Sequence, residues 1–477
     1  MPPGLMESQE AAAVLQILKA RMSALVLLSL WAMGCAVAFQ QTLMPLLPNV
    51  PFLTVWNIPT EPCETRYSVD LDLSQFDIVL NQNQSFMGDN ITIFYDNRLG
   101  LYPFYTPQGV PVNGGVPQNA SLPEHLLYAR ADIKQYIPDS NFSGLAVVDW
   151  ESWRPLWLEN WDAKQVYQEA SRALVRQKHP NWTTLQVESE AQKEFEEAAR
   201  AFMEDSLQLG RKIRPGGRWG FYGMPDCFNQ YSNTSVNYTG KCAEVQMSRD
   251  DELDWLWNAS SALYPSIYLG SGLISKGDAV RLYVQNTVLE AMRCSGQVTP
   301  ISPSVLPYAS IVYESQEFLK FLSQENLVYT IGESAALGAV GIVLWGSGQY
   351  AASQASCTKL KTYLQGILGV YLLNVTTAAE LCSKERCNAN GRCMRKTPNN
   401  DAYLHLNPAS FTILQNLTVK GALSEGDREF YNTEFGCQCY SGYKGESCTQ
   451  TENGSSSGLR TPMISLLCCL SLLWLLF

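Results

Sequence analysis

Asp149 and Glu151 are two carboxylates separated by one residue at the end of an apolar run, within Gly144-Leu145-Ala146-Val147-Val148-Asp149-Trp150-Glu151-Ser152-Trp153-Arg154-Pro155. If the run is a strand, alternate side chains share a face, so Asp149 and Glu151 project together while Trp150 points away. Two close carboxylates at the end of a buried strand repel, and one of them tends to keep its proton near neutral pH. A carboxyl group still protonated there is what general acid catalysis needs. An arbitrary D-x-E pair is most often a pair of solvated loop acids. The buried run that carries this one to a strand's C-terminal end sets it apart, because barrel enzymes place their chemistry at that end.

Other apolar runs read as companion strands: Phe52 to Trp56, Ile91 to Tyr95, Trp219 to Tyr222, Ser266 to Leu269, Ala309 to Tyr313 and Ala339 to Trp345. They end at Trp56-Asn57, Tyr95, Tyr222, Tyr268, Tyr313-Glu314 and Trp345. A rim of aromatic and acidic groups suits a carbohydrate cleft, although aromatic strand ends also serve as ordinary core. Between the runs, Ser189 to Leu209 has helical spacing, with Phe195, Ala198, Ala199, Phe202, Met203 and Leu207 recurring at three and four. It stops at the basic and breaking residues Arg211 to Gly217. Strands alternating with helices predict an α/β fold, a closed TIM-like β/α barrel over residues 39–370; strand count alone leaves a doubly wound sheet open.

After Cys357 the pattern changes. Cys382, Cys387 and Cys393 are followed, beyond residues 394–436, by Cys437-Gln438-Cys439 and the ending Gly442-Tyr443-Lys444-Gly445-Glu446-Ser447-Cys448. This resembles an EGF-like module, placed at residues 371–450, in which disulfides substitute for a core too small to hold itself. That resemblance implies the pairs Cys382 with Cys393, Cys387 with Cys437 and Cys439 with Cys448. A zinc site is the alternative for clustered cysteines, but no histidine spacing accompanies them.

Lys19-Ala20-Arg21, the apolar run Met22 to Val37 and the small residues Ala36-Val37-Ala38 read as a cleaved secretory signal, residues 1–38, with an uncleaved signal anchor as the rival reading. Residues 451–477 read as a GPI attachment signal. Asn453, Gly454 and Ser455 are the attachment candidates, followed by a short spacer and an apolar tail from Met463 to Phe477. A transmembrane helix is the rival, but the tail reaches only about 22 Å against roughly 30 Å of hydrocarbon. Sequons at Asn83, Asn90, Asn119, Asn141, Asn181, Asn233, Asn237, Asn258, Asn374 and Asn416, with Asn453 besides, fit the extracellular face of the plasma membrane. Removing the two processed ends leaves an odd number of cysteines, and Cys294, with no near partner, reads as a buried free thiol. A net charge of −11 argues against nucleic acid as a partner, and requires that a polyanion be held by local groups. His125, His179 and His405 are far apart and without ligand spacing, so neither a metal nor a cofactor is expected.

The segment Gly144 to Pro155, together with Trp219-Gly220-Phe221-Tyr222-Gly223-Met224-Pro225-Asp226-Cys227, Leu263 to Tyr268 and Ile331-Gly332-Glu333, resembles the animal hyaluronidases. The anchor and Leu344-Trp345-Gly346 bring it nearest the GPI-linked vertebrate members, such as the type two and sperm-surface enzymes. The resemblance implies that the TIM-like β/α barrel is a distorted one, and that the chain is a retaining, substrate-assisted endo-hydrolase of the β-1,4 bonds of hyaluronan next to N-acetylglucosamine. It makes Glu151 the proton donor and Asp149 the residue that orients the acetamido group. Tyr222, Tyr268, Trp345 and Tyr95 would line the cleft. Cys63 with Cys357 and Cys227 with Cys242 would be the barrel disulfides. Two positions depart from many relatives: Thr287 stands in place of an arginine, and Gly348 in place of a second tryptophan. The first predicts a weaker grip on the polyanion, modestly improved at low salt by Thr287→Arg. The competing readings are a chondroitin-preferring hydrolase and a hyaluronan-binding surface protein of weak activity.

Overall fold

The computed structural model of the chain describes residues 41–81, 85–232 and 237–451. The leader at 1–38, the sequons at Asn83 and Asn233, the anchor candidates Asn453, Gly454 and Ser455, and the apolar tail lie outside the described residues.

Parallel strands form the centre. Leu145–Asp149 pairs with Ile91–Tyr95 on one side and Arg218–Phe221 on the other. Gly341–Trp345 lies between Leu53–Asn57 and Tyr308–Ala309, and Ile78–Val79 extends the far edge of Leu53–Asn57. Ala262–Leu263, paired with Ser304–Val305, fills the space between these groups, through Ser261 N to Trp219 O on one side and Val340 N to Val305 O on the other. At the last seam a side chain replaces the ladder: Asn81 Oδ1 accepts from the backbone of Asn90 and Ile91, and Asn90 Nδ2 donates to Val79 O. The ring of strands is therefore closed into a distorted barrel, which removes the open doubly wound alternative.

Period-two alternation divides the strands between two cores. Val55, Leu145, Val147, Tyr264, Tyr308 and Val343 fill the barrel interior. Ala146, Val148, Phe94 and Trp219 face outward and meet the helices. The largest of those helices, Thr184–Ile213, starts earlier and ends later than the Ser189 to Leu209 periodicity predicts. Thr183 and Gln186 close a capping box at its start, a signature that lies outside the apolar pattern. Near its end a Cβ on Gly210 would stand 2.6 Å from the Trp219 ring, so a glycine lets this helix close on the strand.

Two predicted strands are shorter than their apolar runs, and a proline explains each. Ser266 to Leu269 is not a strand; the ladder ends at Leu263, and beyond it the pairing is reduced to isolated bridges, Tyr264 with Tyr222, Ser266 with Tyr308 and Gly270 with Glu314. Pro265, which has no N–H to give the ladder, stands between. Pro307 similarly separates Ser304–Val305 from Tyr308–Ala309. The chain then leaves the barrel, and Tyr313 turns into the core, its hydroxyl accepting from Asn326 Nδ2 at 2.6 Å.

The disulfides are Cys63–Cys357, Cys227–Cys242, Cys382–Cys393, Cys387–Cys437 and Cys439–Cys448, and Cys294 is a buried free thiol. The boundary expected at 370/371 falls inside the helix Gly369–Cys387. Tyr371, Leu372 and Val375 of that helix belong to the same apolar core as Ile342 and Leu344 of the barrel. The cysteine-rich segment thus shares a core with the barrel. A buried ion pair ties them further: Arg395, on the strand Gly391–Arg395, donates to the Glu333 carboxylate, both side chains fully buried. Gln285 Nε2 donates to Glu333 Oε1 and to Pro398 O, at 2.9 Å each. Cutting one member of such a pair strands a charge away from water. Glu333→Ala is expected to lower the free energy of unfolding by about 3–5 kcal/mol, read by chemical denaturation. A loss below about 1 kcal/mol would show that the pair does not hold the segment to the barrel.

Candidate active site

The strand Leu145–Asp149 delivers its end to the rim where the neighbouring strands also stop. Asp149 lies in register with Tyr95, and Trp345 with Asn57. Because Leu145 and Val147 point into the barrel, Asp149 does too, and Glu151 follows on the same side. Trp150 goes the other way and stacks on Tyr102 at 4.6 Å between ring centres. Backbone alternation alone therefore brings the two carboxyls together.

Together they must share a proton. Asp149 is half-buried, and its Oδ1 lies out of water with no hydrogen-bond partner. Burial pushes its carboxyl up to about 7, helped by the charge of Glu151, a hydrogen bond between the two carboxyls, and the charge of Asp96. Near neutral pH, then, the proton predicted from the sequence sits on the more buried Asp149, in hydrogen-bond reach of the exposed Glu151.

Ile93, Val147, Asp149, Glu151, Tyr222, Tyr268, Tyr308 and Trp345 enclose a pocket of about 90 Å³. Glu151, Tyr222 and Tyr268 also border an adjoining groove of about 360 Å³, so Glu151 stands where the two spaces meet. Tyr268 and Trp345 stack, with ring centres 6.3 Å apart and planes 20° from parallel. Tyr222 lies 6.3 Å from Tyr268, and its hydroxyl donates to Ser266 Oγ at 3.4 Å. Burial pushes Tyr222 up to about 12, which keeps it a neutral donor. Tyr95 lies beside Asp149 in register but outside the lining of both spaces; its ring packs on Phe86 and carries the Arg98 guanidinium.

Several groups in the site escaped the sequence reading. Tyr308 lies behind Pro307, ahead of the apolar run, so no strand-end pattern pointed to it. It closes the pocket floor, and Asn57 Nδ2 donates to its hydroxyl at 3.5 Å. Arg154 and Lys164 border the groove and supply the local cations that an acidic chain needs. Lys164 donates to the carbonyls of Glu151 and Ser152, so it also holds the loop carrying Glu151. Burial, and then Arg154, depress its ammonium to about 8, against the favourable charge of Glu151. Thr287 lies in the groove wall, but only 3% exposed, with Oγ1 donating to Asn229 Oδ1 and Tyr283 O. The screened surface effect expected for Thr287→Arg is therefore corrected: an arginine there would enter a buried, hydrogen-bonded position. Gly348 faces open space, since the nearest atom to an added Cβ is Pro59 Cγ at 3.9 Å, and it borders neither pocket nor groove.

This geometry has counterparts among known proteins. The chain is 49% identical to human hyaluronidase-1 over 409 residues, covering 85% of this chain and 93% of that one. It is 45% identical to human hyaluronidase-4 over 437 residues, 90% of each chain. Bee venom hyaluronidase superposes with a TM-score of 0.60 at 34% identity, over 67% of this chain and 99% of that one. The same bee venom enzyme, solved in complex with a hyaluronic acid tetramer, gives 0.58 at 33% identity, over 67% of this chain and 98% of that one. The family profile described as hyaluronidase matches residues 41–452, nearly the whole described structure, and the chain belongs to that glycoside hydrolase family.

Proposed function

We propose that the chain is an endo-acting hydrolase of hyaluronan, with Glu151 as proton donor and Asp149 as the residue that orients the acetamido group. One observation carries the mechanism: the two carboxyls leave one strand end on the same side and line the same small pocket. A retaining glycosidase that uses a carboxylate nucleophile needs its two carboxyls about 5–5.5 Å apart, and an inverting one about 6.5–9.5 Å, one on each side of the sugar. A touching pair on a single strand end can flank nothing. An N-acetylhexosamine brings a nucleophile of its own, the amide oxygen.

In this mechanism Glu151 passes the pair's proton to the leaving glycosidic oxygen as the amide oxygen attacks the anomeric carbon from the opposite face. Asp149 accepts from the amide N–H and holds it in line, while Tyr222 donates to the developing oxazolinium region. Glu151 then takes a proton from water as it opens that ring, and two inversions give net retention. Trp345 stacked on Tyr268 offers the sugar an apolar platform. Arg154 and Lys164 meet the polymer's carboxylates. Chondroitin differs in one hydroxyl orientation on the hexosamine, and it is the competing substrate to assay.

We also propose the outer face of the plasma membrane, on a lipid anchor, as the site of action. The sequon residues Asn90, Asn119, Asn141, Asn181, Asn237, Asn258 and Asn416 are exposed, as glycan carriers must be. Asn374 is half-buried on the helix Gly369–Cys387, its Oδ1 accepting from Leu406 N. A phosphatidylinositol-specific phospholipase is expected to release the protein from intact cells; complete retention with the apolar tail still attached would contradict the anchor.

Glu151→Gln keeps the shape and loses the transferable proton. It is expected to cut turnover by roughly a hundredfold to ten-thousandfold while hyaluronan still binds. In the wild type the acid must be protonated, so kcat/KM is expected to fall as pH rises through about 7, where the pair loses its proton. A Glu151→Gln enzyme of near-normal turnover would overturn the assignment, and cleavage of chondroitin alone would reassign the substrate.

A further inference from the structure

Behind the groove wall lies a second polar cluster that the mechanism does not use. Asp250, from the helix Glu244–Glu252, meets Glu290 and Cys294 from the helix Gly277–Gln297, and one donor atom from each lies within 4.8 Å of the others. All three side chains are buried, at 1%, 4% and 0% exposure. Cys294 Sγ is 3.8 Å from Glu290 Oε1. Arg293 chelates both oxygens of Glu290, with Nε to Oε2 at 2.9 Å and Nη2 to Oε1, the oxygen that faces Cys294, at 2.6 Å, and reaches the exposed Asp251 through Nη1.

Two buried oxygens in this cluster lack partners. Asp250 Oδ2 has none, and neither has Oε1 of Gln246, a residue 3% exposed whose Nε2 donates to Asp250 Oδ1 at 3.3 Å and to Glu159 Oε1 at 3.0 Å. A buried, unpartnered carboxylate oxygen costs free energy unless something positive meets it. A cation held between the three donor atoms would supply that positive partner.

We propose that Asp250, Glu290 and Cys294 form a structural site for a zinc-class divalent cation. A thiolate with two carboxylates favours a borderline-soft ion over calcium or magnesium, which take oxygen ligands throughout. In a tetrahedral zinc site, sulfur and oxygen ligands stand about 3.5 Å apart, so the observed Sγ to Oε1 separation needs only a small adjustment. Arg293 then acts as the outer partner that fixes Glu290, and Gln246 Oε1 or a water completes the four. With no histidine among its ligands and its residues split between two helices, the site leaves no metal-ligand spacing in the sequence. It would clamp the two helices behind the groove, where Asp250 and Gln246 line the same wall as Arg154 and Lys164.

The test is the metal content of the full chain, made in a eukaryotic host with zinc in the medium and solubilised intact. About one zinc per chain is expected, falling at least tenfold in Cys294→Ser and in Asp250→Asn, because each removes one of the three ligands. Cobalt in place of zinc should give the wild type a thiolate-to-metal absorption band in the near ultraviolet that Cys294→Ser lacks. A folded wild type that carries no zinc, takes up none and shows no cobalt–thiolate band overturns the site, whether or not the variants fold. Zinc retained equally by wild type and both variants overturns it as well, by placing the metal elsewhere.

Discussion

Two carboxyl groups held on one side of a single strand end resist being charged together, and burial of Asp149 sharpens that constraint. Asp149 and Glu151 are two residues apart, so a β-strand gives them the same face without any further device. The buried strand beneath them takes Asp149 out of water, and the shared proton follows. Because the two groups touch, neither can stand across a sugar from the other. On the proposed mechanism the nucleophile comes from the substrate, a sugar that carries an amide beside the reacting carbon.

The remainder of the fold serves to keep that strand end still. Its neighbours, Ile91–Tyr95 and Arg218–Phe221, hold it by ladders on both edges. Its outward side chains are locked under helices, and Trp150 is pinned by Tyr102, Phe221 and His125. Lys164 holds the carbonyls of the loop that follows. Farther away, Cys63–Cys357 joins the start of the barrel to its last helices, and Glu333 with Arg395 seals the cysteine-rich segment on the same core. A site built at a strand end is only as well placed as the ring of strands that carries it.

Much of this was legible in the residues, and the failures have physical causes. The acid pair follows from period-two alternation, the barrel class from strands alternating with helices, and the aromatic rim from the residues at which the apolar runs end. Tyr222, Tyr268 and Trp345 were found this way and line the pocket. Tyr308 was missed and Tyr313 misplaced because Pro307 shifts the pairing, and apolarity alone does not record register. Thr287 was read as a position able to meet the polyanion because its neighbours Asn229 and Tyr283 are distant or a turn away in sequence, so its burial belongs to tertiary packing. The cluster of Asp250, Glu290 and Cys294 is invisible for the same reason, being assembled across two helices. The expected module boundary falls within a helix because disulfide spacing marks the cysteines and not the helix from which two of them hang.

The central claim is that the substrate's own amide is the nucleophile, and replacing its acetyl hydrogens by fluorine tests that most directly. Each fluorine weakens the amide oxygen as a nucleophile while leaving the sugar and the leaving group unchanged. Turnover should be measured on hyaluronan oligosaccharides whose cleavable residue bears an acetyl, monofluoroacetyl, difluoroacetyl or trifluoroacetyl group. The account predicts a steep, stepwise fall in kcat with each fluorine. A rate that stays flat across the series would mean that a group on the protein attacks the anomeric carbon, and would contradict the mechanism drawn from the touching carboxyls.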